Sequence, residues 1–388
     1  MSTMEKILRL MSQKQASDLY LSASAPAQIK INGACVSINN QLLPNDAPLN
    51  LLAEIVPPER IAELQRCGEL NMGMSLEGVG RFRISAMRQR GSYAVVVRFI
   101  PQNIPPLDSL NLPTVMRDLI MEKRGLILIV GATGSGKSTS LAAMLDARNA
   151  VASGHILTIE DPIEFQFTNR RSIINQREVG VDTESLQVAL KNALRQAPDV
   201  ILIGEIRDRE TMSAALGYAQ SGHLCLATLH ANNSYHVLNR ILSFYPEEIR
   251  PSMLGELSAS LRAVISQRLV KSKDGGRVPA VEVMLNTKLV SELIEKGDFS
   301  SVKEAMEKSM AEGSQTFEEA LAELIHQGRI TRPEGLANAD SPTNLMWRLD
   351  NEPSPTEYNT KQAFLASTQA ALDDIPSFTA ITLDVRSY

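Results

Sequence analysis

The stretch GATGSGKSTS, Gly131 to Ser140, sets Gly131, Gly136, Lys137 and Ser138 at the spacing G-x-x-x-x-G-K-[ST]. A loop of this kind turns its backbone N–H groups inward around phosphate oxygens, and the helix that follows presents its positive end to them. Gly131, Ala132, Thr133, Gly134, Ser135, Gly136, Lys137, Ser138 and Thr139 form the expected cradle, with Lys137 reaching the β- and γ-phosphates and the Ser138 hydroxyl on Mg²⁺. The context fits, because the apolar run RGLILIV precedes the loop and the helix-prone LAAMLDARNA follows it. ATP, or another nucleoside triphosphate, with Mg²⁺ is the implied ligand.

Hydrolysis needs more than a cradle: an acid facing the metal, and a group that orients or deprotonates water. DVILIGE ends a buried-looking run on Glu205, and a carboxylate there is costly unless it meets a cation or water. HILTIEDPIEF supplies Glu160, Asp161 and Glu164, each of which could instead be a solvated loop acid. His230 ends the run LCLATLH and His223 precedes it; a lone histidine in such a place is often structural. In GRFRISAMRQRG, Arg81 and Arg83 share one face of a strand, as do Arg88 and Arg90 farther along. Arg195, Arg207 and Arg209 are further cations, with Asp199, Asp208 and Glu210 as ordinary partners.

The elements that must position these groups follow from pattern. LILIVG, HILTIE, DVILIGE and LCLATLH alternate with helix-prone stretches at 137–150, 184–196, 208–221 and 234–243, the mark of a parallel sheet covered on both faces. Beyond about 247 the chain reads as helical, apart from a short strand VPAVEVML. Residues 1–100 read as a separate α/β unit. It has an amphipathic first helix, a hairpin turning at Asn32-Gly33, a helix broken at Pro57-Pro58, and strands paired about Gly91. Proline-rich 101–114 reads as a linker, 115–338 as the nucleotide-binding domain, and 339–388 as a loose tail containing Trp347.

Composition narrows the class. The chain is 44% hydrophobic but 4% aromatic, so its core is aliphatic, and a net charge of −5 gives no drive toward nucleic acid. No apolar run approaches the roughly 20 residues of a membrane span. Cys35, Cys67 and Cys225 form no CxxC pair, which points to reduced thiols and no structural zinc, with Cys225 in the core.

LRQAPDVILIGEIRD, Leu194 to Asp208, resembles the signature of the bacterial type II secretion and type IV pilus ATPases. That family joins a Walker A loop, an acidic box, a Walker B segment ending in Gly-Glu, and a histidine box. Gly131–Thr139, Thr158–Phe165, Ile201–Glu205 and Thr228–His230 are similar to these, in the family's order, and the resemblance spans roughly residues 1–335. The zinc-binding assembly members carry CxxC pairs and a longer N-terminal region. Lacking both, this chain resembles the retraction (PilT/PilU) branch, and LATLHANNSYHVLNRILSFYP with the C-terminal extension is similar to one of that branch's two members more than to the other.

The resemblance implies an α/β fold, with an N-terminal PAS-like α/β domain joined by a flexible linker to a RecA-like P-loop NTPase domain with a helical C-terminal part. It implies a hexameric ATPase motor driving pilus retraction. Glu164 would activate water, Glu205 would organise Mg²⁺, and His230 would sit near the γ-phosphate, with Lys137 on the phosphates. Arg81, Arg83, Arg195 and Arg207 would be candidates to reach a neighbour's nucleotide. The implied partners are further copies of the chain, a PilT-type ATPase and a PilC-like platform protein of the inner membrane, with no nucleic acid. The implied location is the cytoplasmic side of that membrane. Where the branch carries an AIRNLIRE-like helix, this chain has LVSELIEK, Leu289 to Lys296, without the arginines. That departure raises the alternative of an adaptor that depends on a PilT ring.

Overall fold

The computed structural model describes residues 1–31, 33–100, 103–308 and 311–351. Two sheets organise them, one of six strands and one of seven.

The first unit contains α1 (Thr3–Gln13), β1 (Asp18–Ser22), β2 (Pro26–Ile31), β3 (Ala34–Leu42), α2 (Ala47–Ala53), α3 (Pro58–Cys67), β4 (Glu69–Leu76), β5 (Gly80–Gln89) and β6 (Ser92–Ile100). Its antiparallel sheet runs β3-β2-β1-β6-β5-β4. In α1, Ser2 caps the N-terminus by accepting from the Glu5 N–H, and Met4, Leu8 and Met11 recur at helical spacing to bury one face. The break expected at Pro57-Pro58 separates α2 from α3, because Pro58 fixes the first turn of α3 and cannot continue a preceding helix. Of the expected Asn32-Gly33 turn, Asn32 lies outside the described residues and Gly33 has a φ of 86°.

The second unit contains α4 (Val115–Met121), β7 (Gly125–Val130), α5 (Lys137–Val151), β8 (Gly154–Glu160), β9 (Ser172–Glu178), α6 (Leu186–Ala193), β10 (Val200–Ile203), α7 (Arg209–Gln220), β11 (Leu224–Leu229) and α8 (Ser234–Ser243). It continues through α9 (Arg250–Ser260), β12 (Leu261–Lys271), β13 (Arg277–Leu285), α10 (Lys288–Lys296), α11 (Val302–Lys308), α12 (Phe317–His326), α13 (Arg332–Asn338) and α14 (Pro342–Asn351). The sheet order is β13-β12-β7-β11-β10-β8-β9.

Strand β7 is buried at every position, and its side chains divide between two cores. Leu126, Leu128 and Val130 join α7, α8 and α9 on one face. Ile127 and Ile129 join α4 and α5 on the other. This division explains the unbroken apolar run in the sequence. Caps end the helices where the polar residues predict: Ser185, Asp208 and Asn233 accept from Val188, Thr211 and His236 N–H groups at the starts of α6, α7 and α8.

Three readings need correction. The stretch LRAVISQRLVK, expected to be helical, is strand β12, parallel to β7 and paired with β13 from Ala263↔Leu285 to Lys271↔Arg277. Its β-branched Val264, Ile265 and Val270 suit a strand buried in the sheet. The polar SIINQRE, not read as a strand, forms β9 at the sheet edge, where alternate side chains face out. The tail expected from Ala339 begins with α14, whose Leu345 is fully buried with Val270, Val278 and Phe317; residues 352–388 lie outside the described residues. In the expected linker, residues 101–102 also lie outside, while Leu107 packs into the core beside α4 and α5.

Candidate nucleotide-binding site

All the parallel strands point their carboxyl ends the same way. The phosphate loop after β7, Glu160 at the end of β8, Glu205 after β10 and His230 after β11 therefore gather at one edge. They face a cleft of about 790 Å³ that runs from this edge to strands β5 and β6 of the first unit. Among the described residues no helix is long and apolar enough to cross a membrane.

The loop is shaped for phosphate. Gly136 holds a φ of 90°, and a Cβ there would come within 2.7 Å of Gln267 Nε2, so no side chain fits. Helix α5 starts at Lys137, leaving its first N–H groups directed into the loop. Lys137 is 9% exposed, and its ammonium donates to the carbonyls of Gly131 at 2.8 Å and Ala132 at 2.9 Å. Burial pulls its pKa below the ordinary lysine value, while Glu205 and Glu164 pull it back up. The buried Ser135 Oγ has no hydrogen-bond partner among the described residues. A polar atom without a partner, a glycine position that admits no Cβ and a buried ammonium at a helix start together fit a bound polyphosphate. Thr133, Gly134, Ser138 and Thr139 line the same cleft.

The acids divide by environment. Glu205 receives the Arg207 Nε–H at 2.8 Å and lies 3.3 Å from His230 Nε2. The Thr228 hydroxyl donates to the Gly204 carbonyl at 2.5 Å, tying the ends of β10 and β11 together. Burial pushes the Glu160 carboxyl up, against hydrogen bonds from Thr158 at 2.6 Å and Gln176 at 3.3 Å. Glu160 thus lines the cleft while bonded to its own strand and to the neighbouring β9. Glu164 lines the cleft, and its charge is felt at both Lys137 and Arg98.

The arginines separate as well. Arg83 reaches the cleft, and so does Arg98, its cross-strand partner in the β5/β6 register. Like charges set opposite each other are unfavourable unless something anionic lies between them. Arg98 is held by Asp18 at 2.9 Å, a hydrogen bond that raises its already high pKa. Arg207 lines the cleft and also meets Asp161 at 3.6 Å. Arg81 bonds within its own chain, to Glu178 and to the Ile163 carbonyl. Arg195 sits in the turn after α6, with its Nη1 3.5 Å from Asn192, away from the cleft. His223 shares a contact with the Tyr218 carbonyl, also away from it.

Two contributors escaped the sequence reading. Arg98 was signalled only by a charge inside the apolar run SYAVVVRFI. Gln267 backs the phosphate loop from β12 and was hidden by the helical reading of that stretch.

Comparison with known proteins identifies the family. Residues 3–336 match the family model described as Type II/IV secretion system protein. The chain is 46% identical over 351 residues to the type IV pilus ATPase PilU of Pseudomonas aeruginosa, covering 90% of this chain and 92% of that one. It is 37% identical over 340 residues to PilT, named a type IV pilus retraction ATPase, of the same organism, covering 88% and 99%. A crystal structure of the pilus retraction motor PilT with bound ADP superimposes with a TM-score of 0.82 at 38% identity, covering 89% of this chain and 98% of that one. With a family model covering most of its length and a mixed α/β fold like that of PilT, the chain belongs to the type II/IV secretion system protein family.

Proposed function

We propose that this ATPase works as a ring of identical copies, six in number by family resemblance, that couples ATP hydrolysis to retraction of type IV pili. The observation that carries the reading is the composition of the cleft: a phosphate loop and acids on one wall, and the Arg83–Arg98 pair on the other. Binding of a triphosphate between these walls would draw them together, and loss of the terminal phosphate would release them. Such closure would swing the first unit, read as PAS-like, about the 101–114 segment relative to the RecA-like unit.

The residues would divide the work. Lys137 and the loop N–H groups would hold the phosphates, Glu164 would orient and deprotonate water, and His230, 3.3 Å from Glu205, would act with it at the terminal phosphate. Among the described residues no group of three or more His, Cys, Asp or Glu could hold a metal alone. Mg²⁺ would therefore be held by the phosphates, the Ser138 hydroxyl and, through water, Glu205, and would supply charge neutralisation. Arg83, and Arg207 or Arg195 at a ring contact, would offset charge on the transferring group; a cation supplied by a neighbour can contribute roughly 10³-fold or more. The proposed setting is the cytoplasmic face of the inner membrane at the pilus base. A PilC-like platform protein and a PilT-type ATPase are the proposed partners, and the acidic balance disfavours nucleic acid.

Lys137→Ala, with ATP turnover and twitching measured together, tests the reading. Loss of both is expected, and undiminished turnover would remove the phosphate loop from the mechanism. A second reading, an adaptor that stiffens a PilT ring, is favoured by the absence of arginines on the outer face of α10. Normal retraction by Glu205→Gln in cells that retain PilT would select it.

A further inference from the structure

We infer that Arg81 and Glu178 form a clamp within one chain that sets the position of Glu164 according to how the first unit is seated. The inference rests on the reading of the cleft as the site of ATP hydrolysis.

Glu178 ends β9, and its side chain is only 3% exposed. A carboxylate so buried is costly unless its oxygens are met by donors. Its donors come from both units. Arg81 Nη2 and the Gly73 N–H, the latter at 3.2 Å, belong to the first unit, and the Ile163 N–H, at 3.1 Å, belongs to the second. Arg81 then returns across the gap, its Nε donating to the Ile163 carbonyl at 3.2 Å. The backbone of Ile163 is therefore held on both sides, N–H by Glu178 and C=O by Arg81, and the next residue in the chain is Glu164. A planar guanidinium that meets a carboxylate with one nitrogen and a carbonyl with another fixes direction as well as distance.

The approach of the two units leaves no slack. A Cβ added to Gly73 would lie 2.7 Å from both Arg81 Nη2 and Glu178 Oε1. Gly73 sits on β4, an edge strand, so its N–H has no strand partner on that side and is free to meet Glu178. The same edge also meets the residue just after the acidic box, the Gln166 amide donating to Ser75 Oγ at 3.3 Å. Arg81 lies opposite Ile100, the last residue of β6 before the inter-unit segment. A rotation of the first unit about that segment cannot leave the clamp intact. Arg81 and Glu178 are positioning residues, since neither is among the cleft's lining residues.

The test uses the full chain with Arg81→Ala, Glu178→Ala, the double variant and Gly73→Ala, each checked for folding by thermal melting. The kcat for ATP is expected to fall about 10- to 100-fold in each, the scale of a misplaced reacting group. ADP affinity should stay within about 3-fold, since no phosphate contact is touched. The double variant should be no slower than the slower single, as for two parts of one device. Wild-type kcat in Arg81→Ala, or losses that multiply in the double variant, would overturn the clamp. A wild-type chain without turnover would sink the parent reading instead. The clamp is then judged by hydrogen exchange at the Ile163 amide. Exchange should quicken in Arg81→Ala, although Arg81 does not bond that N–H, and unchanged exchange would reject the clamp.

Discussion

Gln267 holds Ser140 from a strand on the far side of the phosphate loop. The Ser140 hydroxyl donates to Gln267 Oε1 at 2.8 Å, and the Gln267 amide donates onward to the Ser135 carbonyl at 2.8 Å. Gln267 is 3% exposed, so the bridge is dry. Gln267→Leu would leave a buried hydroxyl and a buried carbonyl without partners, at a cost of about 1–3 kcal/mol. The expected outcome is a lower melting temperature together with weaker ADP binding. A variant matching the wild type in both would show that the loop keeps its shape unaided.

Lys137 responds to pH through its neighbours. Burial lowers its pKa from the ordinary 10.5, and Glu205 and Glu164 oppose that fall. A base with a lowered folded pKa binds fewer protons folded than unfolded, so its burden on stability eases as pH rises toward the ordinary value. Its use to phosphate runs the other way, because affinity is lost once the ammonium is neutral. Glu205→Gln removes one raising charge, and the alkaline loss of ADP affinity should begin at lower pH than in the wild type. Titration calorimetry across the neutral to alkaline range reads this directly, and coincident curves would contradict it.

Glu282 is a buried acid outside the cleft, receiving the Ser234 N–H at 2.8 Å and the Ser266 hydroxyl at 3.1 Å. Burial raises its pKa above 4.5 despite these hydrogen bonds. A raised folded pKa means the folded chain binds more protons, so this contribution to stability is present at acid pH and is lost as pH rises through the folded value. Glu282→Gln should gain relative to wild type as pH increases from acid to neutral. Calorimetric melting of both chains at matched pH measures the difference, and a gap independent of pH would argue against a titrating Glu282.

Leu345 and Trp347 test whether α14 is part of the fold. Leu345 is fully buried and Trp347 is 61% exposed, although they are near neighbours on the helix. Leu345→Ala should cost about 2–5 kcal/mol, and Trp347→Ala should stay within about 0.5 kcal/mol. Chemical denaturation followed by circular dichroism separates them. Equal small effects would mean that the helix contributes little.

The sequence determined whatever depends on neighbours along the chain. The phosphate loop, the acid just after β10, the histidine after β11 and the caps of α6, α7 and α8 are set by residues a few positions apart, and the apolar runs before them needed no partner to read as buried strands. Tertiary structure decided what depends on distant partners. Arg81 was legible as a strand cation, but its partner Glu178 stands 97 positions away. Gln267 reaches a loop residue 132 positions away, from a strand whose apolar residues fit either a helix or a buried strand until β7 and β13 are seen on either side. Arg98 gained meaning only when the β5/β6 register set it beside Arg83 at the cleft. Periodicity reports which face of an element is buried, and only the packed fold decides what that face meets.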